Sequence, residues 1–309
     1  MGKMQTLENN YDTIELFGKK VDVCNKMCSI NGKEIETKKV KLDLYIKVTD
    51  LCNAHCSVCS NKGNEKDSKL DYNKLEYVIR GLNEQGRLGR IAITGGEPFL
   101  DVDKLNKVLN IVFGVKPDAI VTINTNGFRI KECLDLDNIN QVCGIHISRH
   151  HYRDSINDKF FGIKTASRDD IREVIKKSNN QRLIRLNCLL MKKYIHTISD
   201  VSRYLEMAAN LKVNHTGFIS LMPYNEESIK EYVDFTDIFN DVPERYQMIS
   251  NTEDFDICEC TNGVYLSNNG RLIPFYARKL KKLDCPYARQ FVYTSDNQLT
   301  AGFGKQKIL

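Results

Sequence analysis

The chain has 309 residues, 41% of them hydrophobic, and 45 Lys and Arg against 40 Asp and Glu give a formal net charge of +5. That length can bury one large core plus a small appendage. No apolar run approaches the roughly eighteen residues of a membrane span, and no basic tract is interleaved with aromatics as nucleic-acid binding would favour.

Residues 1–38 read as an N-terminal hairpin extension. Strand-like stretches at 20–30 and 33–40 flank Asn31-Gly32, a strong two-residue turn signal. Cys24 and Cys28 lie on it; a C-x3-C pair on a strand points both thiols to one face, so metal is one reading and incidental packing the commoner one. The extension is too short for a full leader-peptide-binding domain. The first residues lack the apolar segment of a secretory signal, and eleven cysteines without such a signal suit a reducing, cytoplasmic setting.

Residues 39–235 alternate strands and helices. A strand at 42–49 leads into a cysteine-bearing loop. A helix follows at 71–86, with Leu75, Val78, Ile79 and Leu82 on one face and Gly86 closing it. A strand at 90–94 precedes a helix at 102–115, whose face is Leu105, Val108, Leu109 and Val112. Strands at 119–127 and 144–148 come next, then a helix at 168–178 and a strand at 182–190. A helix at 197–211 carries Thr197 as cap and Asp200 at the capping-box position, and a last strand covers 215–223. Such alternation implies a parallel α/β sheet with right-handed crossovers and ligands at the strands' C-terminal ends. Residues 236–309 are strand- and turn-rich, with turn signals at Asn262-Gly263 and Asn268 to Gly270, and with Cys258, Cys260 and Cys285.

The loop after the first of these strands reads CNAHCSVC. Cys52, Cys56 and Cys59 supply three thiolates, one short of closing a four-iron cluster, and leave one iron open for a substrate or cofactor. Zinc is the alternative; it wants a closed tetrahedron, and no second C-x2-C pair exists. His55 could be a fourth ligand, though Cys56 beside it makes that geometry cramped. About forty residues later Thr94 to Pro98 reads TGGEP, and this second signal favours iron–sulfur.

Together, Cys52, Cys56, Cys59 and the Gly95-Gly96-Glu97-Pro98 run resemble the radical S-adenosylmethionine (radical SAM) superfamily. The resemblance implies a partial (βα)6 TIM-like barrel with a [4Fe–4S] cluster on the first strand's loop. It implies that the open iron chelates S-adenosylmethionine (AdoMet). Gly95 and Gly96 would let the backbone approach the methionyl amine, and Glu97 would help hold that cation. Reductive cleavage would yield a 5′-deoxyadenosyl radical that takes hydrogen from a substrate C–H bond. Later strand ends resemble the branch of molybdenum-cofactor GTP cyclases and SPASM/Twitch-type peptide-modifying enzymes. There Asn124, Ser148, Asn187 and Met222 match cofactor contacts, and Val58 matches a position, often aromatic, that packs on the adenine. Each has a plainer reading, as turn former, cap or core residue.

The chain departs from the cyclases at Val58, at Ala92 where they carry a basic residue, and at the C-terminal segment. There Thr261-Asn262-Gly263 stands where arginines would sit, and Phe275 near an expected cysteine. GTP cyclisation is therefore not expected, and the C-terminal segment resembles a remodelled auxiliary-cluster domain. Cys258, Cys260 and Cys285 could hold a second iron–sulfur cluster; a degenerate domain whose cysteines merely pack is the favoured reading. Arg149, His150 and His151, just past the fourth strand, are candidate substrate-side groups for proton transfer or anion binding, with a solvated charged loop as the alternative. Arg185 matches a substrate-contacting lysine of the cyclases, with a core-paired arginine as the alternative. The expected reaction modifies a peptide, with a small molecule as second reading and a non-catalytic metal module as third. The partner would be a one-electron reductant such as flavodoxin or ferredoxin.

Overall fold

The structure is a computed structural model and describes residues 11–24, 42–59, 69–178, 180, 182–222, 224–238, 246–248, 262–267, 272–276, 288, 290–302 and 306–309. In chain order the strands are β1 (Tyr11–Leu16), β2 (Lys19–Cys24), β3 (Leu42–Lys47), β4 (Leu88–Thr94), β5 (Val121–Thr125), β6 (Val142–Ser148), β7 (Ile184–Leu190), β8 (His215–Ser220), β9 (Tyr246–Met248), β10 (Asn262–Ser267), β11 (Leu272–Tyr276), β12 (Gln290–Tyr293) and β13 (Leu299–Thr300). The helices are α1 (Tyr72–Glu84), α2 (Val102–Val115), α3 (Asp154–Phe161), α4 (Arg168–Ser178), α5 (Ile198–Asn210), α6 (Glu226–Lys230) and α7 (Phe235–Ile238).

Each βα unit forms for a local reason. In β3 the side chains alternate between buried Leu42, Leu44 and Ile46 and half-buried Asp43, Tyr45 and Lys47, so one face meets the helices. The carboxylates of Asp71 and Asp101 cap α1 and α2 by accepting from Lys74 N at 3.0 Å and Lys104 N at 2.9 Å. Thr197 and Asp200 form the expected capping box on α5. The buried faces Leu75/Val78/Ile79/Leu82 and Leu105/Val108/Leu109/Val112 pack on the sheet as their spacing predicts.

Strands β3 to β8 are neighbours in chain order and all parallel. The sheet continues past both ends. β12 joins β3 in parallel and carries β13, while β11 joins β8 in parallel and carries β10 and β9. Among the described residues β13 and β9 are the free edges, so the barrel is partial and open. Asn262 and Gly263 lie within β10, paired with Tyr276 and Phe275, and make no turn; the antiparallel ladder satisfies their backbone groups.

The N-terminal extension holds a hairpin, β1–β2, that reverses at Phe17-Gly18. Both residues have positive φ, 51° and 75°, as a two-residue hairpin turn requires. Asn31-Gly32 and Cys28 lie outside the described residues, as do Asn268 to Gly270, Cys258, Cys260 and Cys285. The C-terminal strand β12 seats the start of α1: Tyr293 Oη donates to Asp71 O at 3.2 Å and Asp71 N donates to Asn297 Oδ1 at 2.7 Å. Among the described residues no helix is long and apolar enough to cross a membrane.

Candidate active site

The C-terminal ends of the parallel strands surround a cavity of about 290 Å³. Thr94 closes β4 there, Asn124 and Thr125 end β5, Ser148 ends β6, Leu189 comes from β7 and Ser220 ends β8. Cys52, Cys56 and Cys59 all face this cavity, and none is in a disulfide.

The loop that carries them is held by backbone. Val48 N donates to Thr94 O at 3.0 Å, Gly96 N to Thr49 O at 2.7 Å and Glu97 N to Leu51 O at 2.8 Å. The cysteine loop and the Gly-Gly-Glu-Pro turn therefore run against each other. A Cβ on Gly95, whose φ is 145°, would lie 2.2 Å from Thr49 O, and one on Gly96 would lie 1.9 Å from Leu51 O. Glycine is demanded here by the contact of chain with chain, as well as by the cavity the two residues line. Farther along, His55 N donates to Phe161 O at 2.9 Å and Asn225 Nδ2 to Ser57 O at 3.0 Å, tying the loop to α3 and to the start of α6.

Glu97 does not face the cavity. It is fully buried, and its carboxylate accepts from Phe99 N at 3.0 Å, Thr125 Oγ1 at 2.6 Å and Asn126 N at 2.7 Å. Burial pushes its pKa up to about 7, against those three donors, which favour the carboxylate. Glu97 thus joins the turn after β4 to the end of β5. Pro98, buried behind it, opens the short 3-10 turn Pro98–Leu100.

The thiols suit a cluster. Burial, then the Glu97 and Cys59 charges, raise the Cys52 pKa; burial and then the Cys59 and Cys52 charges push Cys56 up to about 12. A bound cationic centre reverses that balance. Two donors already point at the Cys52 sulfur: Ala54 N at 3.4 Å and Asn126 Nδ2 at 3.9 Å. His55 is exposed and its side chain faces Gly162, not the cavity. The donor set fits a cluster whose irons take one thiolate each.

Of the other expected residues, Val58, Gly95, Gly96, Asn124, Ser148, His150 and Met222 line the cavity. Asn187 pairs with Ser148 across β6–β7, and its carbonyl accepts from Arg149 N at 2.9 Å, but it does not line the cavity. Three substrate-side candidates lie elsewhere. Arg149 is buried, bonds to Ala166 O at 3.1 Å and pairs with Asp154. His151 packs on Tyr152, and its Nδ1 accepts from Arg153 N at 2.9 Å. Arg185 sits at the opposite end of β7, beside His146, with Nη2 3.6 Å from Cys143 Sγ. Strand alternation places Arg185 two residues before Asn187 and on the same face, too far down the strand to reach the mouth.

Sequence reasoning missed α3, which brings Phe160 and Phe161 to the cavity beside Val58 and Leu221. Its signals were an acidic first turn at Asp154 and Gly162, with φ 69°, as terminator. Asn126, two residues past the candidate Asn124 on the same strand end, also lines the cavity, and its Nδ2 bridges to Asn53 Oδ1 at 3.0 Å.

Residues 46–192 match a family model described as the radical SAM superfamily. No curated protein sequence matches the chain. Among solved structures, native anSMEcpe with bound AdoMet superposes with a TM-score of 0.56 at 16% identity, over 84% of this chain and 74% of that one. Streptococcus suis SuiB bound to precursor peptide SuiA gives 0.50 at 18% identity, over 64% of this chain and 44% of that one. Native anSMEcpe with AdoMet and Kp18Cys peptide gives 0.50 at 17%, over 64% and 57%. The chain thus spans about half the length of those two peptide-bound relatives, and at these identities the likeness is one of fold. The family model falls on the thiol loop, the Gly-Gly-Glu-Pro turn and strands β4 to β7, just under half of the chain, and over that stretch the chain is similar to the radical SAM superfamily.

Proposed function

We propose that this chain is a radical SAM enzyme that modifies a peptide. The observation that carries this reading is the cavity itself: three thiols, a glycine turn and polar strand ends on one side, and an aromatic wall on the other. That wall runs outward through Tyr224, which lines the cavity yet is 53% exposed. An aromatic side chain left open at a cavity mouth suits an extended chain with apolar side groups. SuiB and anSMEcpe, both crystallised with peptides, support the reading.

Cys52, Cys56 and Cys59 would hold the cluster. Gly95, Gly96, Asn124, Ser148, Val58 and Met222 would contact AdoMet. Once bound, the cluster and AdoMet supply reductive C–S cleavage and hydrogen-atom removal. The protein's own residues fix geometry and exclude water. The Glu97 carboxylate keeps the β4 turn against β5, and the Asn126 side chain places an N–H against Cys52. A flavodoxin- or ferredoxin-like protein would deliver the electron. Residues 39–235 would form the barrel domain, flanked by the 1–38 extension and an auxiliary domain at 236–309.

The test is isotopic. A short peptide, drawn from any precursor reading frame that neighbours the gene or else from a peptide library, is deuterated at its side chains and incubated with reconstituted protein, dithionite and AdoMet. Deuterium in 5′-deoxyadenosine together with a mass change in the peptide supports the reading. Transfer from a labelled nucleotide or sugar, and none from the peptide, overturns it in favour of a small-molecule substrate. Iron counting on the wild type and on Cys258→Ala/Cys260→Ala settles the tail. About eight irons falling to about four assigns a second cluster, and about four in both leaves those cysteines as packing residues.

A further inference from the structure

One polar side chain on the aromatic side of the cavity, His150, follows β6 by two residues and is 5% exposed. Its ring stacks on Phe161, with centroids 5.1 Å apart and planes at 25°, and meets the Phe160 ring edge-on at 4.7 Å. Its backbone N donates to Asn157 Oδ1 at 2.7 Å, so α3 fixes the main chain as well as the ring. Nδ1 accepts from Leu189 N at 3.1 Å. A ring nitrogen that accepts cannot carry the proton, so the proton of the neutral ring sits on Nε2.

Nε2 makes no hydrogen bond to the described residues, and it is not among the polar atoms sealed off without a partner. It therefore opens on the cavity that His150 lines. Burial drives the imidazole pKa down to about 3, the nearby Arg149 carbonyl opposing this only in part. The ring stays neutral at physiological pH and is no proton acceptor at Nδ1. It offers one oriented N–H, in contrast to the acid–base role its sequence position suggested.

The surroundings say what that N–H meets. Val58, Phe160, Phe161, Leu189 and Leu221 line the same part of the cavity and offer no side-chain polar atom. A group that lies against rings and aliphatic chains, yet needs a single in-plane donor, is a flat heteroaromatic ring with an acceptor nitrogen. We propose that His150 is a fixed hydrogen-bond donor to a purine ring nitrogen of AdoMet, in the part of the cavity lined by Phe160 and Phe161.

This inference rests on the radical SAM reading, and the test separates the two. AdoMet binding is measured on anaerobically reconstituted wild type, His150→Gln and His150→Leu, together with melting curves. It is also measured on wild type with AdoMet analogues in which one purine ring nitrogen at a time is replaced by C–H. The expected result is about tenfold weaker binding for His150→Leu, partial recovery in His150→Gln, and a similar loss with one analogue only. That loss should be flat across neutral pH and absent when the same analogue is offered to His150→Leu. The analogue series keeps the test decisive if His150→Leu fails to fold. Wild type that binds AdoMet but treats every analogue alike overturns the inference and leaves the radical SAM reading intact. Wild type with a full cluster and no AdoMet binding overturns the reading on which it rests.

Discussion

The two walls of the cavity are built on different principles. The wall formed by the ends of β3, β4 and β5 is made of backbone: three main-chain hydrogen bonds, two glycines with no space for a methyl group, and one buried carboxylate. The wall formed beyond β6 and β8 is made of packed side chains, Val58, Phe160, Phe161 and Leu221, backed by Met191 and Tyr232 in a cluster separate from the main core. The first wall tolerates one residue type at each position. The second asks only that volume and apolarity be conserved. The contrast teaches where the reaction chemistry is anchored and where ligand preference can drift.

Gly96→Ala tests the first wall most severely. A methyl group 1.9 Å from a backbone carbonyl cannot be relieved by a side-chain rotation, so the two loops must part. We expect a loss of about 3 kcal/mol in denaturant melts and failure to retain iron. A variant that keeps wild-type iron content and stability breaks the comparison.

Glu97→Gln comes next, at about 2 kcal/mol, because an amide nitrogen replaces an acceptor that faces N–H and O–H donors. Its pH signature is distinct. With a folded pKa of about 7 against an ordinary value of 4.5, Glu97 keeps a proton in the folded state that it has lost in the unfolded chain between those values. Its own contribution to stability therefore falls as pH rises through that window, while the buried His146 and His150, held at about 3 against 6.5, act in the opposite direction. Urea melts across the window should show stability rising more steeply with pH in Glu97→Gln than in the wild type. Parallel profiles contradict the burial argument.

Phe161→Leu probes the second wall and should cost only about 1 kcal/mol, with AdoMet binding weakened several-fold through the lost stacking on His150. An effect as large as that of Gly96→Ala would erase the distinction between the walls. Smallest of all, Arg185→Gln should leave AdoMet binding and 5′-deoxyadenosine formation unchanged, since Arg185 lies at the other end of β7. A large loss of turnover would place substrate deep in the barrel.

The same contrast explains what could be read in advance. Gly95, Gly96 and the cysteine spacing are legible because backbone geometry leaves no alternative residue. The β/α alternation is legible because Leu75, Val78, Ile79 and Leu82 keep a helical period. Phe160 and Phe161 were not legible as site residues. They reach the cavity from α3 through contact with Val58 and Leu221, which are distant in sequence, and nothing in their spacing marks that contact. Arg149 misled for a similar reason: a position just past β6 is at the mouth, but Asp154 and the Ala166 carbonyl draw the side chain inward. Glu97 was legible as essential to the motif, while its work as a strap between β4 and β5 shows only in its three donors.

The central claim is that the Cys52–Cys56–Cys59 loop holds a cluster that activates AdoMet. Chromatography for 5′-deoxyadenosine, on anaerobically reconstituted protein reduced with dithionite in the presence of AdoMet, tests it most directly. The account predicts that the wild type forms the product and that Cys56→Ala forms none. Protein with a full cluster that forms no 5′-deoxyadenosine, with or without peptide, would contradict it.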